Sequence, residues 1–363
     1  MARVNLGLDI GTASVKAVEL INNRNGYELR NLIKIDLPWM QENIEKEAIT
    51  AKLIKGLIDK YKVNTGRVIS GVKGESVIIR RIRMPLMGQR ETNQAVRWQA
   101  EEHIPYSLDQ ICLSFQVLER NLMGEEGEYM SVILVGVKKE AIRKHLQVLT
   151  SAGVSPKIVD VDALALFNVF QLSNPEDKDK VALLEIGHNS TSIVILDRGY
   201  PFLIRDINWG GFHLTQAVKK ALKVSYEVAQ EMKERYGIDA EEIDLSRPVN
   251  SENESEEKNK RLVNAAIRKA MNTLVKEIVH SFEYYTSQKE GTAIKRVILS
   301  GGTSCLRNID KFLSEELGLS VETINPFTII TGKPAGFQPE YLSKRSSLFT
   351  VGLGLALRKI KKI

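Results

Sequence analysis

Asp9 and Gly11 stand in the run Leu8-Asp9-Ile10-Gly11, and Glu185 and Gly187 stand in Leu184-Glu185-Ile186-Gly187. The offset between the two runs is constant at 176 residues (185 − 9 and 187 − 11), and it carries Ser14 onto Ser190. An acid followed by such a glycine corner suits phosphate handling. Successive backbone N–H groups in a tight turn form an anion-binding concavity, and glycine lets the main chain approach phosphate oxygens without a Cβ clash. Thr12, Ser14, Ser190 and Thr191 could add hydroxyl donors. Phosphate would repel Asp9 and Glu185, so their expected work is to face each other across a cleft and hold a hydrated Mg²⁺. That ion keeps several waters and binds through few carboxylates.

The elements that must position these corners repeat as well. Residues 4–10 read as a strand, 11–13 as a tight turn, 14–21 as a second strand, 22–26 as a hairpin turn and 27–36 as a third strand. The layout returns at 181–186, 187–189, 190–196, 197–199 and 200–206. One Asp-x-Gly at a strand end is an ordinary turn signal. Two copies that repeat acid, glycine, hydroxyl and three-strand spacing together point to a duplicated module.

Further along, 297–300 reads as a buried strand running into Gly301-Gly302-Thr303-Ser304, followed by a helical pattern over 306–317. A flat ring or a phosphate could lie against the open backbone of that glycine corner. A short strand at 158–162 leads into an Ala/Leu-rich helix to about 170, and a second helix is expected over 348–360, so each half contributes one helix to a junction that could hinge. Residues 224–237 read as a helix; Lys233 near its end either reaches a nucleotide's ribose or is a solvated surface lysine. The polar, charged stretch 246–260 lacks periodicity and is expected as a mobile loop.

Composition excludes several alternatives. With 43% hydrophobic and 26% charged residues over 363, the chain has enough apolar material for two or three packed domains. No stretch approaches a membrane span, and the opening residues lack a signal peptide's apolar region, so an intact cytosolic N-terminus is expected. Cys112 and Cys305 are far apart and in no ligand spacing; both are expected as reduced core residues. The five histidines form no HxxxH or HExxH pair, so a metal should arrive with a substrate. The net charge of +6 is spread among acids, and the densest basic run, Arg80-Arg81-Ile82-Arg83, sits in an expected strand over 77–84 whose alternation splits its arginines between faces. No nucleic-acid partner is expected.

These residues resemble the actin-like ATPases, an α/β, ribonuclease H-like duplicated fold with two domains around a nucleotide cleft and, here, a small inserted α+β subdomain. Residues 8–16, including Gly11, Thr12, Ala13, Ser14 and Lys16, look like the family's first phosphate motif. Glu185, Gly187, His188, Asn189, Ser190 and Thr191 look like the second, and Ser300-Gly301-Gly302-Thr303 resembles the adenosine motif. Gly210-Gly211 and Thr215 resemble the entry to a further subdomain, and 230–233 its nucleotide-facing helix. The stretch Val96-Arg97-Trp98-Gln99-Ala100-Glu101-Glu102-His103-Ile104-Pro105-Tyr106, with Phe115-Gln116-Val117-Leu118, resembles one particular to the PilM family of type IV pilus assembly proteins, relatives of FtsA.

The resemblance implies ATP and Mg as ligands, with Asp9 and Glu185 reaching Mg through water. It also implies domains at 1–75 with 154–178 and 341–363, an insert at 76–153, and a second actin-like domain at 179–340. A cytoplasmic chain at the inner face of the inner membrane is implied, peripheral to it through partners and capable of self-association. Its partners would be the cytoplasmic tail of PilN and other pilus assembly proteins. Glu185 replaces a more usual Asp, His188-Asn189 replace glycines and Gln230 replaces an acid, so slow hydrolysis or none is expected, with Glu185 the one candidate catalytic group. Two other readings share the fold. A small-molecule kinase needs a carboxylate base, and no acid besides the Mg-facing pair offers itself. An FtsA-like division tether needs an amphipathic membrane helix, whereas residues 357–363 run directly on from the junction helix.

Overall fold

Apolar residues dominate β1 (Arg3–Ile10) and β9 (Val181–Ile186) because both strands are buried on both faces, as central strands flanked by helices must be. The computed structural model describes residues 3–23, 26–38, 44–125, 127–239, 254–288, 293–331, 342 and 344–359. In the first half, β2 (Ser14–Asn23) and β3 (Gly26–Asp36) continue β1 as an antiparallel meander, while β4 (Val68–Val72) and β8 (Pro156–Val161) add parallel strands. The order is β3-β2-β1-β4-β8. In the second half, β9, β10 (Thr191–Asp197), β11 (Tyr200–Ile207), β12 (Arg296–Ser300) and β13 (Ser320–Thr323) repeat it as β11-β10-β9-β12-β13. The duplication read from two acid-glycine corners therefore extends to whole sheets.

A third sheet, β5-β7-β6, is built from β5 (Val77–Pro85), β6 (Ile111–Gly124) and β7 (Gly127–Lys138). On one face, Ile82, Met84, Met130, Val132 and Leu134 pack against Val96, Ala100 and Ile104 at the end of α2 (Gln89–His103). On the other, Ile79, Ile133 and Val137 join the core shared by both halves. The following helix, α3 (Lys139–Ser151), returns the chain to the first sheet, beside α1 (Ile44–Tyr61).

Two helices meet at the centre, α4 (Asp162–Ser173) and α9 (Thr350–Ala356). Their crossing is close because Gly354 lies against the backbone of Ala165, and a Cβ built there would stand 2.0 Å from the Ala165 carbonyl oxygen. Asn5 closes the end of α9 by donating from Nδ2 to the Ala356 carbonyl at 2.9 Å.

Four expectations change. The last helix starts at Thr350 after a 3-10 turn and ends at Ala356, not 360; residues 360–363 lie outside the described residues. The helix expected from 306 begins at Ile309, as α8 (Ile309–Leu317), because Gly302–Cys305 is wound as a 3-10 turn. Of the expected loop, 246–253 lie outside the described residues, but 254–260 open α7 (Glu254–Ser287). Beyond the charged start, Val263, Ile267, Met271, Leu274, Ile278 and Tyr285 form a fully buried stripe, and Arg235–Glu256 and Arg261–Glu257 ion pairs hold the first turns. Cys112 is exposed on edge strand β6 rather than in the core.

The helix crossing generates a contrast. Gly354→Ala must push α9 off α4 and should cost about 3 kcal/mol or more. Gly56→Ala, in α1 with nothing within 4 Å of its built Cβ, should stabilise by about 0.5–1 kcal/mol. Urea unfolding of the two variants measures both, and equal effects would contradict the packing described.

Candidate functional site

The two acid-glycine corners have the same turn. Gly11 N–H donates to the Ser14 carbonyl at 3.0 Å, and Gly187 N–H donates to the Ser190 carbonyl at 2.9 Å. A Cβ at either glycine would stand 3.0 Å from that same carbonyl, so a side chain would crowd the turn. The N–H groups of Thr12, Ala13, His188 and Asn189 have no acceptor among the described residues. Each corner thus presents open backbone donors, the property an anion site needs.

Behind the turns lie the charges. Asp9 is opposite Lys16 across β1–β2, and Lys16 Nζ donates to Asp9 Oδ2 at 2.9 Å. The duplicate position of Lys16 is Ser192 (16 + 176), which is opposite Glu185 across β9–β10, so the second half has no lysine of its own there. Lys73, from the loop after β4, crosses from the first half and places Nζ 3.3 Å from Glu185 Oε2 and 3.9 Å from Asp162 Oδ2. Asp162, the first residue of α4, is a third buried carboxylate, and its Oδ1 has no hydrogen-bond partner among the described residues. Sequence reasoning named only Asp9 and Glu185 as acids of this junction; Asp162 joins them through Lys73.

The electrostatics follow from burial and neighbours. Burial pushes Asp162 up to about 8, reinforced by the charges of Asp9 and Glu185, while Lys73 opposes the rise. Burial pulls on Lys73 in the opposite sense, but Glu185, Asp162 and Asp9 outweigh it and raise its pKa, so it stays charged. His188 is held down at about 4 by burial and by Lys233 and Lys46, which leaves it neutral at pH 7.

The adenosine side is less symmetric. Gly301 has φ +88 and a Cβ there would come 2.6 Å from the Ile186 carbonyl oxygen, so it carries the backbone past β9 and does not line the cavity; Gly302 and Thr303 do. Thr303 Oγ1 donates to the Gly187 carbonyl at 2.8 Å, tying this corner to the second phosphate turn. Lys233, on α6 (Tyr226–Tyr236), is buried: Nζ donates to Thr215 Oγ1 and to Gln230 Oε1, both at 2.8 Å, and burial lowers its pKa to about 8. Of the two readings open for Lys233, the surface lysine is excluded.

Gly11, Thr12, Ala13, Ser14 and Lys16 line the cavity from the first half; Glu185, Gly187, His188, Gly211 and Lys233 line it from the second. Asn189 lines an adjoining chamber instead. Neither Ser190 nor Gly210 lines either; Gly210 is packed against the His188 and Gly187 carbonyls. Thr191 departs from its expected role: it is fully buried and its hydroxyl donates to the Trp209 carbonyl at 2.7 Å. Gly211 and Phe212 N–H, at the start of α5 (Gly211–Leu222), donate to the Gly187 and His188 carbonyls, so that helix start clamps the turn. Sequence reasoning missed Lys73, Asp162, Lys34, Glu234 and Arg345. Only Lys73 left a signal, a lysine just beyond a strand that pairs with β1.

The inner cavity measures about 190 Å³ and the adjoining chamber about 480 Å³, with Thr12, Ala13, His188 and Gln230 shared between them. The residues fit a nucleotide with Mg: paired open turns, two lysines for phosphate, and Asp9 and Glu185 for a hydrated ion. Among the described residues, no three acid, His or Cys side chains converge as a direct metal cage.

The family model of the type IV pilus assembly protein PilM matches residues 7–360. The chain belongs to the PilM family. Among solved structures, the chain is similar to a PilM-PilN type IV pilus biogenesis complex at TM-score 0.81 and 28% identity, with 97% of each chain covered. It is also similar to the ethanolamine utilization protein EutJ from Carboxydothermus hydrogenoformans (TM-score 0.54, 14% identity, 98% and 89% covered). MreB5 of Spiroplasma citri bound to ADP matches at TM-score 0.50 and 14% identity, with 97% and 94% covered. These distant matches place this PilM-family chain in the actin-like fold.

Asp162 yields a pH test. Its folded pKa lies above the carboxylate range, so between about 4 and 8 the folded chain keeps a proton that the unfolded chain has released, and stability falls as pH rises. Asp162→Asn removes this penalty. The variant should unfold later than the parent at pH 9, by about 1 kcal/mol or more, with the difference shrinking toward pH 5. Thermal scans at the two pH values check it; a variant weaker at pH 9 would contradict the assignment.

Proposed function

We propose that this PilM-family chain is an ATP-binding scaffold of the type IV pilus inner-membrane assembly platform that captures the cytoplasmic tail of PilN. The supporting observation is the likeness to one chain of a PilM-PilN complex, over 97% of this chain and 97% of that one at 28% identity. ATP is assigned to the cleft because two open-backbone turns, two lysines and Glu185 surround one cavity, with Asp9 directly behind Lys16. Asp9 and Glu185 would hold Mg through its waters, Lys16 and Lys73 would face phosphate oxygens, and Lys233 would face the ribose. Bound Mg neutralises phosphate charge; the residues here orient it and exclude water.

A binding role fits the acids better than rapid turnover. With nucleotide bound Glu185 would be engaged by the waters of Mg, and Asp162 keeps its proton near neutrality, so neither would be a free base at pH 7. The chain would therefore work at the cytoplasmic face of the inner membrane as a nucleotide-loaded platform. Among the described residues no helix is long and apolar enough to cross a membrane, so attachment would run through partners.

Two titrations test the reading. A PilN tail peptide added to the full chain, with and without Mg-ATP, should bind in at least one condition, and no heat in either condition would end the partner assignment. Asp9→Ala and Glu185→Ala should each weaken Mg-ATP binding about tenfold or more while leaving Mg-free ATP less affected. Equal losses with and without Mg would contradict the role given to these acids.

A further inference from the structure

The loop between β4 and β5 does more than deliver Lys73. Each of its first three residues is attached to the second half. Lys73 is paired with Glu185; Gly74 N–H donates to Asp206 Oδ2 at 2.7 Å; Glu75 Oε1 accepts from Asn208 Nδ2. Asp206 is held in turn by the hydroxyl of Ser192, the residue that stands where the first half has Lys16. The second half thus lacks a lysine at its own corner and docks a foreign one through the very residue that replaced it. Gly74 takes φ +90, which lets the chain turn sharply between the cleft and the third sheet.

Immediately beyond this loop the chain becomes β5, one of the two edge strands of the third sheet. Val77 N–H donates to the Gly74 carbonyl at 2.9 Å, and Lys138 N–H, at the end of β7, donates to the Ser76 carbonyl at 2.9 Å, so the loop is continuous with that sheet. β5 faces β11 of the second half across a cavity of about 380 Å³, where the Arg81 guanidinium lies over the Phe202 ring. The helix that follows β7 also touches the strands behind the cleft: His145 of α3 bonds Ser70 Oγ at 2.9 Å, and Ser70 Oγ donates to the Leu8 carbonyl, next to Asp9.

We infer that residues 73–75 are a strap by which the contents of the cleft set the position of the third sheet against β11. The inference rests on the nucleotide reading above. With no phosphate present, Lys73 answers the carboxylates of Glu185 and Asp162. When a nucleotide is held, Lys73 turns to phosphate oxygens, Glu185 turns to the waters of Mg, and the Lys73–Glu185 pair is given up. Gly74 N–H and the Glu75 side chain stay anchored on Asp206 and Asn208, so a shift at Lys73 turns the strap about these anchors and passes through the Gly74 carbonyl, which accepts from Val77 N–H, into β5. The width of the cavity between β5 and β11 then differs between the two states. This is coupling through one identified element with two arrangements.

Amide hydrogen exchange on the full chain, with calorimetry on the same samples, tests the strap. Mg-ATP should change exchange in β5 and β11 by about threefold or more in the parent chain. In Asp206→Ala, and separately in Glu75→Ala, calorimetry should return nearly the parent affinity for Mg-ATP while the β5 response falls by half or more. Two variants are used because Asp206 also receives Ser192, whereas Glu75 is joined at the surface. Lys73→Met should lose the β5 response and bind Mg-ATP about tenfold more weakly. Binding with no change in β5 exchange, or a full response in both strap variants, would overturn the inference and leave the nucleotide reading intact. Calorimetry showing no nucleotide binding at all would overturn both.

Discussion

Three carboxylates and two lysines share one buried junction, and the rest of the fold is arranged around keeping them together. Asp9, Asp162 and Glu185 come from the ends of three different elements, and each would be costly in isolation. Lys16 answers Asp9 within its own hairpin, whereas Glu185 is answered by Lys73 from the other half, which also reaches Asp162 of its own half. The interface between the halves is therefore electrostatic at its centre. Buried charge pairs add little net stability once desolvation is counted. Their value in the proposed nucleotide complex would lie in what they can exchange for: Asp9 and Glu185 would turn to the waters of magnesium, and Lys16 and Lys73 to phosphate oxygens.

Packing supplies the rigidity that this cluster does not. The two sheets repeat one strand order, α4 and α9 cross at glycine-backbone contact, and the shared core runs from Leu20 and Leu29 through Phe170 and Phe349 to Val194 and Ile204. The charged residues sit at strand ends and helix starts, where side chains can change partner without disturbing these contacts. Asp162 shows the arrangement well. Its helix begins at the cleft and its following residues, Ala163, Ala165 and Leu166, are core.

Much of the frame was legible in the residues themselves. A constant offset between acid-glycine corners is a strong signal because turn chemistry and strand alternation are local, and local rules survive folding. Asp9, Gly11, Glu185 and Gly187 could be found that way. Lys73 and Asp162 could not, since their importance arises from distant chain segments meeting. Ser192 makes the point from the other side: it looks like an ordinary strand serine until the pairing with Glu185 reveals that a lysine is missing. The start of α7 was misread because Glu, Ser and Asn are dense there and the apolar stripe begins only at Val263. Thr191 was misread because a hydroxyl near a turn can satisfy a neighbouring carbonyl as readily as a ligand.

The central claim is that the two matching corners grip one magnesium-bound nucleotide between the halves. A crystal structure of the full chain grown with Mg²⁺ and a non-hydrolysable ATP analogue is the most direct measurement. The account predicts phosphate density between the 11–14 and 187–190 turns, with Lys16 and Lys73 on its oxygens and the ion's waters on Asp9 and Glu185. Nucleotide bound elsewhere, or a cleft in which Lys73 still pairs with Glu185 at saturating analogue, would contradict it.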